Sequence, residues 1–169
     1  KNSTETRVVT IDTGAPLLNI TFPAQNNTNS SNVGLDVNYI TSDLLLDSCW
    51  YSNDSYSVNL SLGSGGVCAN VTNITWSEGA HNIRIYANDS ANNVNISTRR
   101  FVIGTISPSL NITGPVANAT NTTDAGVDVN FTISDASTNV DSVWYSNGSY
   151  SVNLSLGSAG VWTNITNLT

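Results

Sequence analysis

A stretch of fifteen residues occurs twice in this chain almost unchanged, and no other feature constrains the fold as strongly. Residues 50–64 and 144–158 are identical, except that Gly148 stands where the first copy has Asp54. Repetition at a fixed spacing indicates tandem copies of one structural unit, each of which packs against its neighbours.

The similarity between the copies extends outward from this stretch. The offset is 92 residues up to Asp43, and it is 94 residues from Asp47 onward. The chain therefore divides into three parts. Residues 1–12 form the closing strand of a preceding repeat or a donated strand, 13–104 form the first repeat, and 105–169 form a second repeat that lacks its last two strands.

Within each unit, apolar and polar residues alternate over short runs that end at Gly, Asn or Pro. This period of two is typical of half-buried β-strands, and no helical period is present. The pattern predicts about seven short strands per unit, including one over residues 67–74, with a loop over residues 24–32. Trp50 and Trp144 lie in the middle of predicted strands and are expected in the core.

Two groups of residues carry a family resemblance. They are Pro16 with Leu18-x-Ile20-x-x-Pro23, and Glu78-Gly79-x-His81-x-Ile83-x-Ile85-Tyr86-Ala87-x-Asp89. In this order they resemble the immunoglobulin-like repeats of bacterial and archaeal cell-surface proteins, and the resemblance covers nearly the whole chain. It implies all-β, tandem seven-stranded antiparallel Ig-like sandwiches with a structural, adhesive or spacer role. An antibody-type disulfide is not expected, because the two strands that it would join carry Val37 and Ile85.

Asn-x-Ser/Thr triplets, the acceptor motif for N-glycans, are far more frequent than composition explains. They account for 18 of the 25 asparagines, whereas chance would give roughly six. Alternation of polar and apolar residues in strands explains some of the triplets but not this excess. An extracellular glycoprotein is therefore predicted. The candidate asparagines are Asn2, Asn19, Asn26, Asn29, Asn53, Asn59, Asn70, Asn73, Asn88, Asn95, Asn111, Asn118, Asn121, Asn130, Asn147, Asn153, Asn164 and Asn167.

Composition excludes several classes of partner. Twelve acidic residues against five basic ones give a net charge of −7, which repels nucleic-acid phosphates. No apolar run approaches the ~18 residues that would span a bilayer. The chain begins without Met or an apolar leader, so we expect a mature or excerpted segment.

The two cysteines are expected to form a disulfide. Cys49 and Cys68 are replaced together by Val143 and Trp162 in the second copy, as expected for a bonded pair. The alternatives are two buried thiols or a metal pair. A metal pair is disfavoured because His81 is the only histidine and there is no Cys-x-x-Cys motif.

Three acidic residues near strand ends suggest a structural ion. Asp12, Asp43 and Asp89 fall near predicted strand ends, and carboxylates at repeat junctions can hold Ca²⁺ and stiffen a stalk. The ligand spacing of an EF-hand is absent, and isolated acids at strand ends are commonly only solvated. No other cofactor is predicted.

No catalytic residues are predicted. The chain contains no Gly-x-Ser-x-Gly, His-Glu-x-x-His or phosphate-loop motif, and we expect a protein that is not an enzyme. His81 alternates in step with Ile83, Ile85 and Ala87, so its side chain is expected on the same face of the strand as these apolar residues. It is expected to be a hydrogen-bonded residue at the rim of the sandwich. An alternative function is sugar binding on a platform of aromatic rings. The candidate tyrosines are Tyr51, Tyr56, Tyr145 and Tyr150.

The second unit has no counterpart of residues 76–104. Either the chain is an excerpt of a longer repeat polypeptide, or strands are shared between subunits. The predicted function is structural: an N-glycosylated extracellular repeat protein that builds a filament, stalk or surface layer through self-association or contact between neighbouring repeats. The alternative is an adhesin or carbohydrate-binding module within a larger surface protein.

Overall fold

A computed structural model describes residues 5–118, 121–137, 140–146, 148 and 153–168, with side chains up to 166. These residues fold into β-strands without any helix, as predicted. The strands are β1 Leu17–Phe22, β2 Thr28–Ser30, β3 Asn38–Ser42, β4 Leu46–Asn53, β5 Leu60–Ser64, β6 Gly79–Asp89, β7 Val94–Ile103, β8 Ser109–Gly114, β9 Val127–Ser134, β10 Ser142–Tyr145, β11 Leu154–Ser158, β12 Val161–Trp162 and β13 Ile165–Leu168.

The first unit is an Ig-like sandwich of two sheets. β1 pairs with β3, and an isolated bridge between Val37 and Val71 extends this small sheet. The facing sheet has five strands in the order β2-β7-β6-β4-β5. All neighbours in this sheet are antiparallel except β2 and β7, which run parallel.

Alternation along β6 shows how the sequence positions the core. Ile83, Ile85 and Ala87 are fully buried, while the residues between them are half-buried and face outward. Opposite them, Ile20 and Val37 of the small sheet are also buried. Burial of an aliphatic side chain of this size stabilises the fold by about 1.5–3 kcal/mol, so this layer holds the two sheets together.

Three details differ from the sequence predictions. The expected strand over residues 67–74 contributes only the bridge at Val71. The expected loop over residues 24–32 contains β2, whose backbone bonds to the edge of β7. Trp50 is half-buried on the outer face because its neighbour Cys49 takes the inward position, and Trp144 is 57% exposed.

The second unit repeats the pairing of the first. Cys49 lies opposite Gly63 in β4 and β5, and Val143 lies opposite Gly157 in β10 and β11. Both glycines have positive φ at a bulge, and a Cβ on either would lie 2.0 Å from a backbone oxygen. A side chain is therefore excluded at this position in both copies.

The second unit contains no counterparts of β6 and β7 within the described residues. The consequence is visible at matched positions. Leu18 and Ile20 are 8% and 1% exposed in the first unit, whereas Leu110 and Ile112 are 58% and 59% exposed in the second. The same apolar residues thus form a closed core in one unit and an open face in the other.

Residues 5–16 form no strand, and the apolar side chains of Val8, Val9 and Ile11 are more than 80% exposed. The assignment of residues 1–12 to a preceding repeat stays a prediction, and Asn2 lies outside the described residues.

Candidate functional site

The predicted disulfide is confirmed. Cys49 and Cys68 are bonded, with their Cα atoms 5.7 Å apart. Cys49 lies inward on β4 and is buried, whereas Cys68 lies on the segment that follows β5. The bond therefore links the long connecting segment between β5 and β6 to a central strand of the large sheet.

The three acidic residues predicted near strand ends lie together at one pole of the first unit. Carboxylate oxygens of Asp12, Asp43 and Asp89 all lie within 4.8 Å of one another. Asp12 precedes β1, Asp43 lies between β3 and β4, and Asp89 ends β6. Segments distant in sequence therefore meet at this acidic cluster, which we define by these three residues.

Asp89 is the buried member of the acidic cluster. Its Oδ1 accepts hydrogen bonds from the backbone N–H groups of Ala91 and Asn93, at 2.8 and 2.9 Å. The Asn93 Nδ2 donates to its Oδ2 at 2.9 Å. Burial raises the pKa of Asp89, but the hydrogen bonds from Asn93 and Ala91 outweigh it and hold the pKa below its ordinary value.

The remaining oxygens suit a hard cation. One oxygen of Asp12 accepts from Gly14 N and one of Asp43 accepts from Leu45 N, so each carboxylate keeps a second oxygen. Calcium takes six to eight oxygen ligands from carboxylates, carbonyls and water. These residues could hold Ca²⁺, and the sequence-based expectation of calcium stays a prediction.

A calcium titration tests this prediction. If calcium binds with an affinity of about 0.1 mM, then 10 mM calcium is about 100 times the dissociation constant and stabilises the first unit by about 2.7 kcal/mol. We expect Tm to rise by about 10 °C or more. The measurement is thermal unfolding with calcium or magnesium at equal ionic strength. Asp43→Asn should abolish the rise and Asp36→Asn, outside the cluster, should retain it; an unchanged wild-type Tm would contradict the prediction.

Glu78, an acidic residue outside the acidic cluster, joins the two units. The Glu78 carboxylate accepts from Thr105 N at 2.9 Å, from Thr105 Oγ1 at 2.6 Å, and from the hydroxyl of Ser137 in the second unit. These hydrogen bonds, that from Ser137 foremost, lower the pKa of Glu78 to about 2. Local sequence patterns do not predict this role for Glu78, because its partners lie 27 and 59 residues away in the chain.

The Glu78 contact should respond to acid. Because the pKa is lower in the folded protein than the ordinary value of 4.5, its contribution is complete above pH 4.5 and is lost as pH falls toward 2. We expect the amide proton of Thr105, followed by NMR, to titrate with a midpoint near 2. In Glu78→Gln this titration should disappear. A midpoint near 4.5 in the wild type would show that the contact does not form in solution.

His81 is hydrogen-bonded, as expected from its place in the strand. Its Nδ1 lies 3.1 Å from an Asp54 carboxylate oxygen, and its Nε2 lies 2.9 Å from the backbone oxygen of Ser77. The ring packs between Trp76 and Phe101, with ring centroids 5.1 and 5.7 Å away. Both ring nitrogens are thus engaged inside the protein.

The tyrosines proposed as a sugar platform do not form one. Tyr51 packs against the core, and Tyr56 lies beneath the Arg84 guanidinium, 4.1 Å from ring centroid to Cζ. Tyr145 lines a small apolar hollow in the second unit, and Tyr150 lies outside the described residues. The aromatic pair that does lie on a sheet surface is Trp50 with Tyr86.

The glycan acceptors can be sorted by exposure. Fifteen of the 18 asparagines have described side chains, and none of these is buried. Those of Asn53, Asn88 and Asn95 are half-buried. The exposed ones are Asn19, Asn26, Asn29, Asn59, Asn70, Asn73, Asn111, Asn118, Asn121, Asn130, Asn153 and Asn164. Asn2, Asn147 and the side chain of Asn167 lie outside the described part.

Comparison with known proteins adds one structural likeness. No protein-family model and no curated protein matches the chain. A solved structure of CbhA fibronectin(III)-like modules from Clostridium thermocellum is similar to it, with a TM-score of 0.42 and 15% sequence identity. The alignment covers 75% of this chain and 66% of that chain, just under two thirds. Separately, the described residues include no helix that is long and apolar enough to cross a membrane.

Proposed function

We propose that this chain is part of an extracellular, N-glycosylated structural repeat protein that builds a filament, stalk or surface layer and performs no catalysis. Its work is mechanical: Ig-like units follow one another through short junctions, and each unit is completed by packing strands onto an apolar face. Calcium at the acidic cluster and the hydrogen bonds of Glu78 would stiffen the array.

One observation carries this proposal, namely the open apolar face of the second unit. Leu110 and Ile112 are 58% and 59% exposed. The two hollows on this face measure about 80 and 300 Å³, at or below the ~300 Å³ at which small-molecule pockets begin. In the first unit the equivalent face is covered by β6 and β7. A layer of strands equivalent to β6 and β7 is therefore what the face fits, and either a longer repeat chain or another copy would supply it.

Two further observations support an extracellular location. Disulfides persist in oxidising compartments, and the Cys49–Cys68 bond is a built part of the first unit. The acceptor asparagines with described side chains are all at least partly accessible. A glycan at such positions projects into solvent and shields exposed strand edges from pairing with other chains.

The experiment that tests the proposal supplies the absent strands. A copy of residues 76–104 is appended after Thr169, which occupies the position of Thr75 in the repeat. We expect the unmodified chain to bind a hydrophobic dye and to self-associate in sedimentation. The extended chain should bind little dye, sediment as a monomer, and protect the β8 and β9 amides from exchange.

The matched control appends the same segment with serine at the two positions that correspond to Ile83 and Ile85. This control cannot bury an apolar layer, so it should behave like the unmodified chain. Equal dye binding by all three chains would contradict the proposal. The mass of the native, deglycosylated protein then separates the two sources of strands: about 18 kDa favours sharing between copies, and a larger mass favours a longer array.

Location is tested in the source cells. Antibodies against the chain should label intact cells. Labelling that requires permeabilised cells would contradict an extracellular role, whatever the outcome of the strand experiment.

A further inference from the structure

The outer face of the large sheet carries an aromatic platform, which we define as Trp50 and Tyr86. The two residues lie directly opposite each other in β4 and β6. Their rings stack with centroids 5.2 Å apart and planes 7° from parallel. Both side chains are half-buried, because Cys49 and Ile85 beside them take the inward positions. One flat face of each ring is therefore turned toward the other ring, and the rest of the aromatic surface of the platform is partly exposed to solvent.

An N-glycan acceptor lies on the same face, beside the platform. Asn88 follows Tyr86 by two residues, and side chains two apart on a strand share a face. Ser48, its neighbour on β4, precedes Trp50 by two residues in the same way. On this face of the sheet, the cross-strand pair of Asn88 and Ser48 therefore lies directly next to the pair of Tyr86 and Trp50.

Hydrogen bonds hold the Asn88 amide in one orientation. Its Oδ1 accepts from Ser48 N at 3.1 Å and from Ser48 Oγ at 2.5 Å. A backbone N–H can only donate, so the carbonyl side of the amide faces β4. Within the described part of the chain, Asn88 Nδ2 has no partner, and it is the atom to which a glycan is joined.

Asn95 shows the opposite arrangement and gives an internal contrast. Its Nδ2 donates to the Pro16 carbonyl at 2.8 Å, and its Oδ1 accepts from Ile96 N at 2.7 Å. One of the two Nδ2 hydrogens of Asn95 is therefore already engaged by Pro16. Asn88 and Asn95 are both half-buried, but among the described residues Asn88 Nδ2 has no hydrogen-bond partner, whereas Asn95 Nδ2 has one.

We infer that Asn88 carries an N-glycan whose first sugar packs on the Trp50–Tyr86 platform. Glycosylation replaces one Nδ2 hydrogen with the sugar and leaves the Oδ1 bonds to Ser48 intact. The apolar face of a pyranose ring then covers aromatic surface that is otherwise half in water. A covalent tether favours this sugar over free ones, because its effective concentration beside the platform is about millimolar.

This inference rests on the glycosylation in the proposed function, and the test separates the two. Glycopeptide mass spectrometry of the native protein should find Asn88 occupied. Glycans elsewhere with Asn88 empty would overturn this inference alone. Absence of glycan from every acceptor would overturn it together with the glycosylation in the proposed function.

Contact with the platform is tested by a cycle of variants secreted from a glycosylating host. Ser90→Ala removes the acceptor motif but leaves the Asn88–Ser48 hydrogen bonds, and Tyr86→Leu or Trp50→Leu removes an aromatic ring. We expect Ser90→Ala to lower Tm by about 4 °C. In either leucine background, Ser90→Ala should lower Tm only by the effect of losing the hydrogen bond from Ser90 Oγ to Leu45 O. An equal effect in all backgrounds would overturn the contact.

Nuclear magnetic resonance gives a second readout that does not depend on stability. Protons of the first sugar on Asn88 should be shifted upfield by the ring currents of Trp50 and Tyr86, and Trp50→Leu should reduce the shift. Random-coil sugar shifts in the wild type would contradict the inference. So would binding of free oligosaccharide to the platform while Asn88 is glycosylated, since that would show the rings to be uncovered.

Discussion

Replacing Phe101 with alanine is expected to lower the free energy of unfolding of the first unit by about 3–5 kcal/mol. Phe101 is fully buried on β7 and meets Trp76 edge to face, with ring centroids 4.8 Å apart. Removal of the ring loses its burial, its contact with Trp76 and the support that it gives His81. Close-packed surroundings relax only partly around such a cavity, so the loss exceeds the transfer free energy alone.

Urea unfolding of the first unit measures this effect. The midpoint should fall while the m-value stays constant. Val94→Ala is the matched control, since Val94 lies on the same strand but is 48% exposed; it should cost less than about 1 kcal/mol. Similar losses for the two variants would show that β7 does not pack as the structure describes.

Loss of the disulfide is expected to have the second largest effect. The bond joins residues 19 apart in sequence, and closing a loop of this length restricts the unfolded chain by about 3 kcal/mol. Reduction of the wild-type protein should lower its stability by this amount. Cys49→Ala with Cys68→Ala should cost more, because Cys49 is buried and its replacement leaves a cavity.

The second unit offers a matched variant for this experiment. Val143 and Trp162 occupy the equivalent positions, and each neighbours Gly157 in the pairing of β10, β11 and β12. Cys49→Val with Cys68→Trp should therefore fold, lose the contribution of loop closure and be insensitive to reductant. If reduction leaves the urea midpoint of the wild type unchanged, the disulfide contributes nothing to stability in solution.

Much of the architecture could be read from residue patterns. Alternation around Ile83 and Ile85 predicted the central strand and its inward face. Joint replacement of Cys49 and Cys68 predicted their bond. Asp12, Asp43 and Asp89 were singled out because they fall near predicted strand ends, and they do lie together. Each of these predictions depended on local period or on comparison between the two copies.

Other features depend on contacts that no local pattern encodes. β2 is a polar tripeptide, and it becomes a strand only because the edge of β7 has free backbone groups. Trp50 faces outward although it is the largest apolar residue of its strand, because Cys49 takes the place that faces the core. Glu78 joins the units through Ser137, which lies 59 residues away.

The sequence by itself determined the repeat, the all-β class, the disulfide and the positions of the glycan acceptors. Only the tertiary structure decided that Trp50 faces outward, which acidic residues pair with which donors, and which acceptor nitrogen is free beside Tyr86. The physical reason is the separation in sequence over which each effect acts. Strand period and turn preference act over a few residues, whereas burial and hydrogen bonding are settled between segments tens of residues apart.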